Sequence, residues 1–456
     1  MQRTQSHYSR FFFFLSCCLV VFLAACSSQP VSQGNPHGTP GTTTAQATPT
    51  SSTPGQTSPM PPTQTSCPSA NSGRAAVIAP LSLGSHQQLI YVYQDTANTW
   101  HLRRYDATTG LKTDIYSTSA GQIEDAQVSA DGQWVVFLLD LSPTMRTDAS
   151  AKIQLIRIDG KGLQTPYCFP TNESYSHSSG GATTTLPVGL QLSTDQKSLL
   201  FSLDTKNQSS VIYDLAMGSG QVQVVWQDTT NTLYTTSIIT WLDNTSAYLI
   251  TQGRTQPAPP ATIHLLNVAQ ALNHASNPTS QVYQGGGRMH ELSVDTSFDG
   301  TKLFTDDCLL AGSPFKTTIS VQSAHAGGVP QVIYQPPSAI CVDEIRVISA
   351  NTMLMLVTDQ NASTSAVQHG VWTMNVNGTA QHGLNTLMPN DSTFQFNPNS
   401  QYVWSNVSRD GGTYALQQET NQGTENLVFG SLNGSAVTTF ATSGAHTLTL
   451  VGWTTM

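Results

Sequence analysis

The chain has 456 residues, of which 10% are charged, and its formal net charge is −9. That balance argues against nucleic acid and anionic lipid surfaces as partners, since both repel an acidic chain. Thr, Ser, Gln and Asn are plentiful, and few segments combine strong helix formers with a helical period, so strands and turns are expected.

The N-terminus places Arg3 and Arg10 ahead of an uncharged apolar run from Phe11 to Ala25. This run falls short of the roughly 20 apolar residues of a spanning helix and has the charge pattern of a secretory leader. It ends in Leu23-Ala24-Ala25-Cys26. These four residues match the lipobox of bacterial lipoproteins, and the resemblance implies cleavage before Cys26 and acylation of its thiol. One acyl chain binds a membrane only marginally, so a stable tether needs the multiply acylated cysteine usual in such proteins. Removing residues 1–25 removes Arg3 and Arg10, which takes the net charge to −11. The expected address is extracytoplasmic, at a cell membrane, with inner and outer membrane both open.

Residues 26–73 hold the lipidated cysteine and a stretch made almost wholly of Ser, Thr, Pro, Gln, Gly and Ala. Without apolar periodicity such a stretch has nothing to offset the entropy of ordering, and a disordered linker is expected. Residues 74–456 are then one domain, since no second low-complexity boundary divides them.

That domain repeats itself. In Ala126–Phe137 a short strand enters Ser129-Ala130-Asp131-Gly132 and an apolar strand leaves it. Asp-Gly suits the positive φ of a tight hairpin, and alternating apolar residues on either side supply the paired strands. A third strand at Ile153–Ile158 and a fourth around Leu163–Phe169 complete a four-stranded meander. Further copies begin at Ser193-Thr194-Asp195-Gln196, Trp241-Leu242-Asp243-Asn244, Ser297-Phe298-Asp299-Gly300, Ser349-Ala350-Asn351 and Phe396-Asn397-Pro398-Asn399, the last leading into Tyr402-Val403-Trp404. An aromatic also recurs in the presumed fourth strand of six units: Tyr116, Tyr167, Trp226, Tyr283, Tyr334 and Phe440. The C-terminal Thr447–Trp453 looks like a lone first strand, able to complete the first unit and leave no open edge. The expectation is an all-β propeller of about seven four-stranded blades, closed by the C-terminal strand. These residues resemble the repeats of TolB-type propellers, whose consensus is a Ser-Pro-Asp-Gly turn between the first two strands of each blade. Most copies here lack the proline.

Seven cysteines are present, and Cys67, Cys168, Cys308 and Cys341 remain after the leader and the lipidated Cys26. An even number suits an oxidising compartment. Repeat position suggests pairing Cys308 with Cys341, with the pairing of Cys67 and Cys168 left open. No Gly-x-Ser-x-Gly, Walker loop, His-Glu-x-x-His or EF-hand spacing occurs. His101, His264 and His325 fall on or beside third strands as solvent-facing sheet residues.

One constellation carries a chemical expectation. Three units place charge at the start of a first strand, which in a propeller lines the central channel: Glu124-Asp125, His290-Glu291 and Asp343-Glu344, with Arg346 as a partial counterbalance. Brought together by the ring, these carboxylates would form an acidic mouth for a cationic small molecule, a basic peptide or a metal ion. No cofactor is expected, although Ca²⁺ suits such a set. Two classes of function fit. The first is a tethered binding module that docks an envelope protein, peptide or glycan, as the resemblance to TolB implies. The second is an extracytoplasmic enzyme, metal-dependent or sugar-processing.

Overall fold

The computed structural model describes residues 63–456, apart from residues 64, 70–71, 76–79, 172–187, 205–209, 229–232, 254–260, 286–289, 310–315, 326–327, 338–339, 360–369, 385–391, 396–402, 421–423, 435 and 444–446. The leader, Cys26 and most of the linker lie outside the described residues.

Seven four-stranded antiparallel sheets follow one another along the chain. Blade 1 spans residues 87–118 and takes its innermost strand, Leu448–Thr455, from the C-terminus. Blades 2 to 7 span residues 121–169, 188–227, 233–284, 290–334, 340–383 and 392–443, each a meander in chain order. The C-terminal strand pairs antiparallel with Gln87–Gln94, from Gln87 opposite Thr455 to Tyr93 opposite Leu448, so the ring is closed. An arginine in blade 7 reinforces the closure. Arg409 donates from Nη1 to Ala130 O (2.7 Å) and from Nη2 to Ser129 O (3.1 Å) in blade 2, and its backbone N–H reaches Gln87 Oε1 (2.9 Å) in blade 1.

The recurring turn has a chemical cause. In blades 2, 3, 5 and 7 the serine hydroxyl donates to the aspartate two residues on: Ser129 to Asp131, Ser193 to Asp195, Ser297 to Asp299 and Ser408 to Asp410. The same serine oxygen accepts the N–H that starts the next strand, at Trp134, Ser198, Lys302 and Thr413. The aspartate takes the N–H two residues ahead of it, at Gln133, Lys197, Thr301 and Gly412. The residue after the aspartate sits at positive φ: Gly132 (72°), Gln196 (58°), Gly300 (67°) and Gly411 (70°). Glycine adopts that conformation without strain, which explains its recurrence.

Blade 7 corrects the sequence reading. Its turn is Ser408-Arg409-Asp410-Gly411, and its second strand is Thr413–Thr420. Val403–Asn406, which includes the Val403 and Trp404 expected on a strand, is a short helix instead. The Asn-Pro-Asn signal at residues 397–399 lies outside the described residues.

Strand alternation sends neighbouring side chains to opposite faces, and each blade is covered on both, so second strands read as continuous apolar runs such as Trp134–Leu139. The buried apolar residues accordingly form seven clusters, one in each seam between blades. All six recurring aromatics lie in the outermost strand of their blades. Among the described residues, no helix is long and apolar enough to cross a membrane.

Candidate functional site

The innermost strands carry all six residues singled out from the sequence. Glu124 and Asp125 lie in mid-strand within Gly121–Val128, Asp343 and Glu344 in mid-strand within Ile340–Val347, and His290 and Glu291 open His290–Thr296. The three pairs therefore share one ring of strands but stand at two levels of it. The side chains of His290 and Glu291 lie outside the described residues.

Both mid-strand pairs coincide with a bulge: the register shifts between Ile123 and Ala126, and again between Val342 and Glu344. An extra residue in one strand re-aims the side chains around it. Glu124, Asp343 and Glu344 are half-buried, whereas Asp125 is 7% exposed. The Thr358 hydroxyl donates to Asp343 Oδ2 (2.6 Å), and Arg346 Nη2 donates to Glu344 Oε2 (3.3 Å).

Asp125 faces the next blade. Its Oδ2 accepts the backbone N–H of Leu190 (2.6 Å), and two residues along, Gln127 Oε1 accepts that of Leu192 (2.7 Å). The same clasp recurs between blades 5 and 6, where Ser293 Oγ accepts Ile345 N–H (3.1 Å) and Asp295 Oδ2 accepts Val347 N–H (2.6 Å). Residues two apart on a strand share a face, so Asp125-x-Gln127 and Ser293-x-Asp295 were the sequence signal for these clasps. Composition alone does not single them out.

The two buried carboxylates titrate differently from ordinary ones. Burial pushes Asp125 up to about 7, against the hydrogen bonds it receives from backbone N–H groups. Burial also raises Asp295, but the Arg346 guanidinium opposes the rise and holds it at about 6. Chemically, the inner wall joins half-exposed acids to buried ones that exchange protons near neutrality. It favours cations. Among the described residues, no three His, Cys, Asp or Glu side chains gather as a metal site.

Two disulfides are present. Cys308, at the outer end of a second strand, joins Cys341 on the innermost strand of the next blade, with Cα atoms 5.6 Å apart. Cys67 joins Cys168 in the outermost strand of blade 2, with Cα atoms 5.7 Å apart. Beyond that second bridge, Arg74 lies over the Trp134 ring (4.6 Å to its centroid) and donates to Gln196 Oε1 (2.9 Å). Desolvation lowers the Arg74 guanidinium to about 10. A pocket of about 250 Å³ opens here, between the turns that carry Asp131 and Asp195.

No family model matches the sequence, and no curated protein matches it. Among solved structures, the chain is similar to an oligogalacturonate lyase in complex with manganese, at 10% identity and TM-score 0.48, over 77% of this chain and 82% of that one. It is similar to TolB from Acinetobacter baumannii at 14% identity and TM-score 0.39, over 64% of this chain and 62% of that one. It is also similar to the β-propeller domain of the Trilobed protease from Pyrococcus furiosus, at 8% identity and TM-score 0.48, over 78% and 95%. The neighbours thus include a TolB protein, a lyase and a protease domain.

Proposed function

We propose that the chain is an extracytoplasmic binding module, held at a membrane through acylated Cys26, which docks a protein, peptide or glycan on a propeller face. The observation that carries the reading is the inner wall, where Glu124, Asp343 and Glu344 stand half-buried on the innermost strands of a closed ring. Carboxylates on the innermost strands of a ring contribute negative potential to its inner surface and draw cationic groups of a partner. The two disulfides support an oxidising compartment, in keeping with the lipobox at Leu23–Cys26. A rigid ring presenting loops is also the arrangement by which scaffolds generally display recognition surfaces.

The test is crosslinking of the full-length protein in its native envelope, beside a variant carrying Glu124→Gln, Glu291→Gln and Glu344→Gln. A specific partner that disappears in the variant is the expected result. A partner retained by the variant moves the site off the acidic wall. Absence of any specific partner overturns the docking reading.

A further inference from the structure

The rim of blade 2 differs from those of blades 1, 3, 4 and 5. Outermost strands in blades 1, 3, 4 and 5 are largely exposed: in Gln221–Gln227 only Val225 is buried. In Gln164–Phe169, by contrast, Gln164 and Thr165 are fully buried and Phe169 is 2% exposed.

Phe169 is buried in the core between blades 2 and 3, whereas the chain's own residues 65–69 and 72–75 lie against Gln164 and Thr165. Thr165 Oγ1 donates to Thr65 O (3.4 Å), Cys168 is bonded to Cys67, and Gln164 Oε1 accepts the N–H of Ala75 (3.0 Å). Gly73 N–H reaches Gly218 O (3.2 Å) and Arg74 N–H reaches Met217 O, both in the adjoining turn of blade 3. A further anchor lies downstream. Leu81 N–H donates to Gln133 Oε1 (2.6 Å), Leu81 and Leu83 pack on the core between blades 1 and 2, and His86 and Met456 exchange both backbone hydrogen bonds. Residues 81–86 are thus fixed by packing and by the ring. Residues 65–69 and 72–75 are fixed by single hydrogen bonds, each exchangeable for one to water, by the Arg74 guanidinium over Trp134, by Cys67 packed on the core between blades 1 and 2, and by one covalent bond that closes a loop of sequence separation 101.

We propose that residues 65–69 and 72–75 form a redox-released cover over Gln164 and Thr165 in the outermost strand of blade 2, with Cys67–Cys168 as its lock. A dithiol reductant gives two electrons and two protons to the bridge, leaving two cysteine thiols and becoming a disulfide itself. The cover then frays, Arg74 leaves Trp134, and Gln164 and Thr165 become open to solvent. The ring remains closed, because Leu448–Thr455 pairs with Gln87–Gln94 without help from the cover.

Full-length Cys67→Ser protein tests this without touching Cys308–Cys341. Trypsin cleavage after Arg74 should accelerate at least about tenfold over the oxidised wild type, since proteolysis follows local opening. Amide exchange should quicken at residues 164–168 and stay slow at residues 87–94 and 448–455. Cys168→Ser should behave alike, and wild type should follow when treated with dithiothreitol. Unchanged cleavage after Arg74 in both variants would overturn the proposal. So would a loss of protection throughout the ring, which would make the bridge a staple of the whole fold.

Discussion

Blades 2 and 5 are two editions of one unit. Each has a Ser-x-Asp-Gly turn, a carboxylate clasp to the following blade and a cysteine in a disulfide. They differ in what surrounds the shared parts. Asp295 of blade 5 has the buried Arg346 guanidinium nearby, while Asp125 of blade 2 is held by backbone N–H groups alone. A propeller repeat thus fixes the backbone geometry of a clasp and leaves its side chains and their electrostatic surroundings free to differ.

The comparison breaks most readily at Arg346. It is 3% exposed, so Arg346→Met leaves Asp295 and Glu344 without their cation, at a cost of about 3–5 kcal/mol. Asp295 should then behave like Asp125, and the loss should shrink at low pH, where the carboxyl takes up a proton. Thermal melting at pH 5 and pH 8 checks this. Equal losses at both would show that the guanidinium does not govern Asp295.

At Asp125 the effect runs the other way. Its folded value of about 7 lies above the ordinary carboxylate value of 3.8, so the folded chain binds the proton more tightly than the unfolded one. The contribution of Asp125 to stability is therefore fully present below about pH 4 and is lost as pH climbs through about 7. Asp125→Asn keeps an acceptor for Leu190 but cannot ionise. It should be nearly neutral at pH 4 and more stable than wild type at pH 8, by on the order of 2–4 kcal/mol. Denaturant titrations at the two pH values decide, and a variant less stable at pH 8 would contradict the assignment.

The smallest contrast is at the turns. Gly132 and Gly300 both have positive φ, but a Cβ on Gly132 would lie 2.6 Å from Arg409 Nη2, whereas on Gly300 its nearest neighbour would be 3.7 Å away. Gly300→Ala should cost about 1 kcal/mol from backbone strain alone. Gly132→Ala should cost more, because it also disturbs the arginine that links blades 7 and 2. Paired melting curves would show the gap.

Much of the architecture was legible because the turn chemistry is local. Serine, aspartate and glycine at fixed spacing mark a hairpin wherever they fall, and repetition then implies blades. The lone strand at the C-terminus was legible as a missing first strand. Blade 7 was misread because Asn397-Pro398-Asn399 is also a turn signal, and it drew attention from Ser408-Arg409-Asp410-Gly411. The candidate site was less legible. Period-two alternation cannot say whether Asp125 faces the axis or the neighbouring blade, because the bulge beside it changes the register. The cover over blade 2 escaped notice for another reason: residues 65–73 share the composition of the linker, and only long-range partners such as Cys168 and Met217 distinguish them.

The strand Leu448–Thr455 also bears on how the protein is made. Gln87–Gln94 leaves the ribosome among the earliest parts of the propeller, yet its partner is among the latest. Blade 1 is therefore the first to begin and the last to be finished, and during synthesis it keeps an unpaired apolar edge exposed. Pairing across so great a sequence distance is slow. The chain's weakest moment is the interval before the ring shuts.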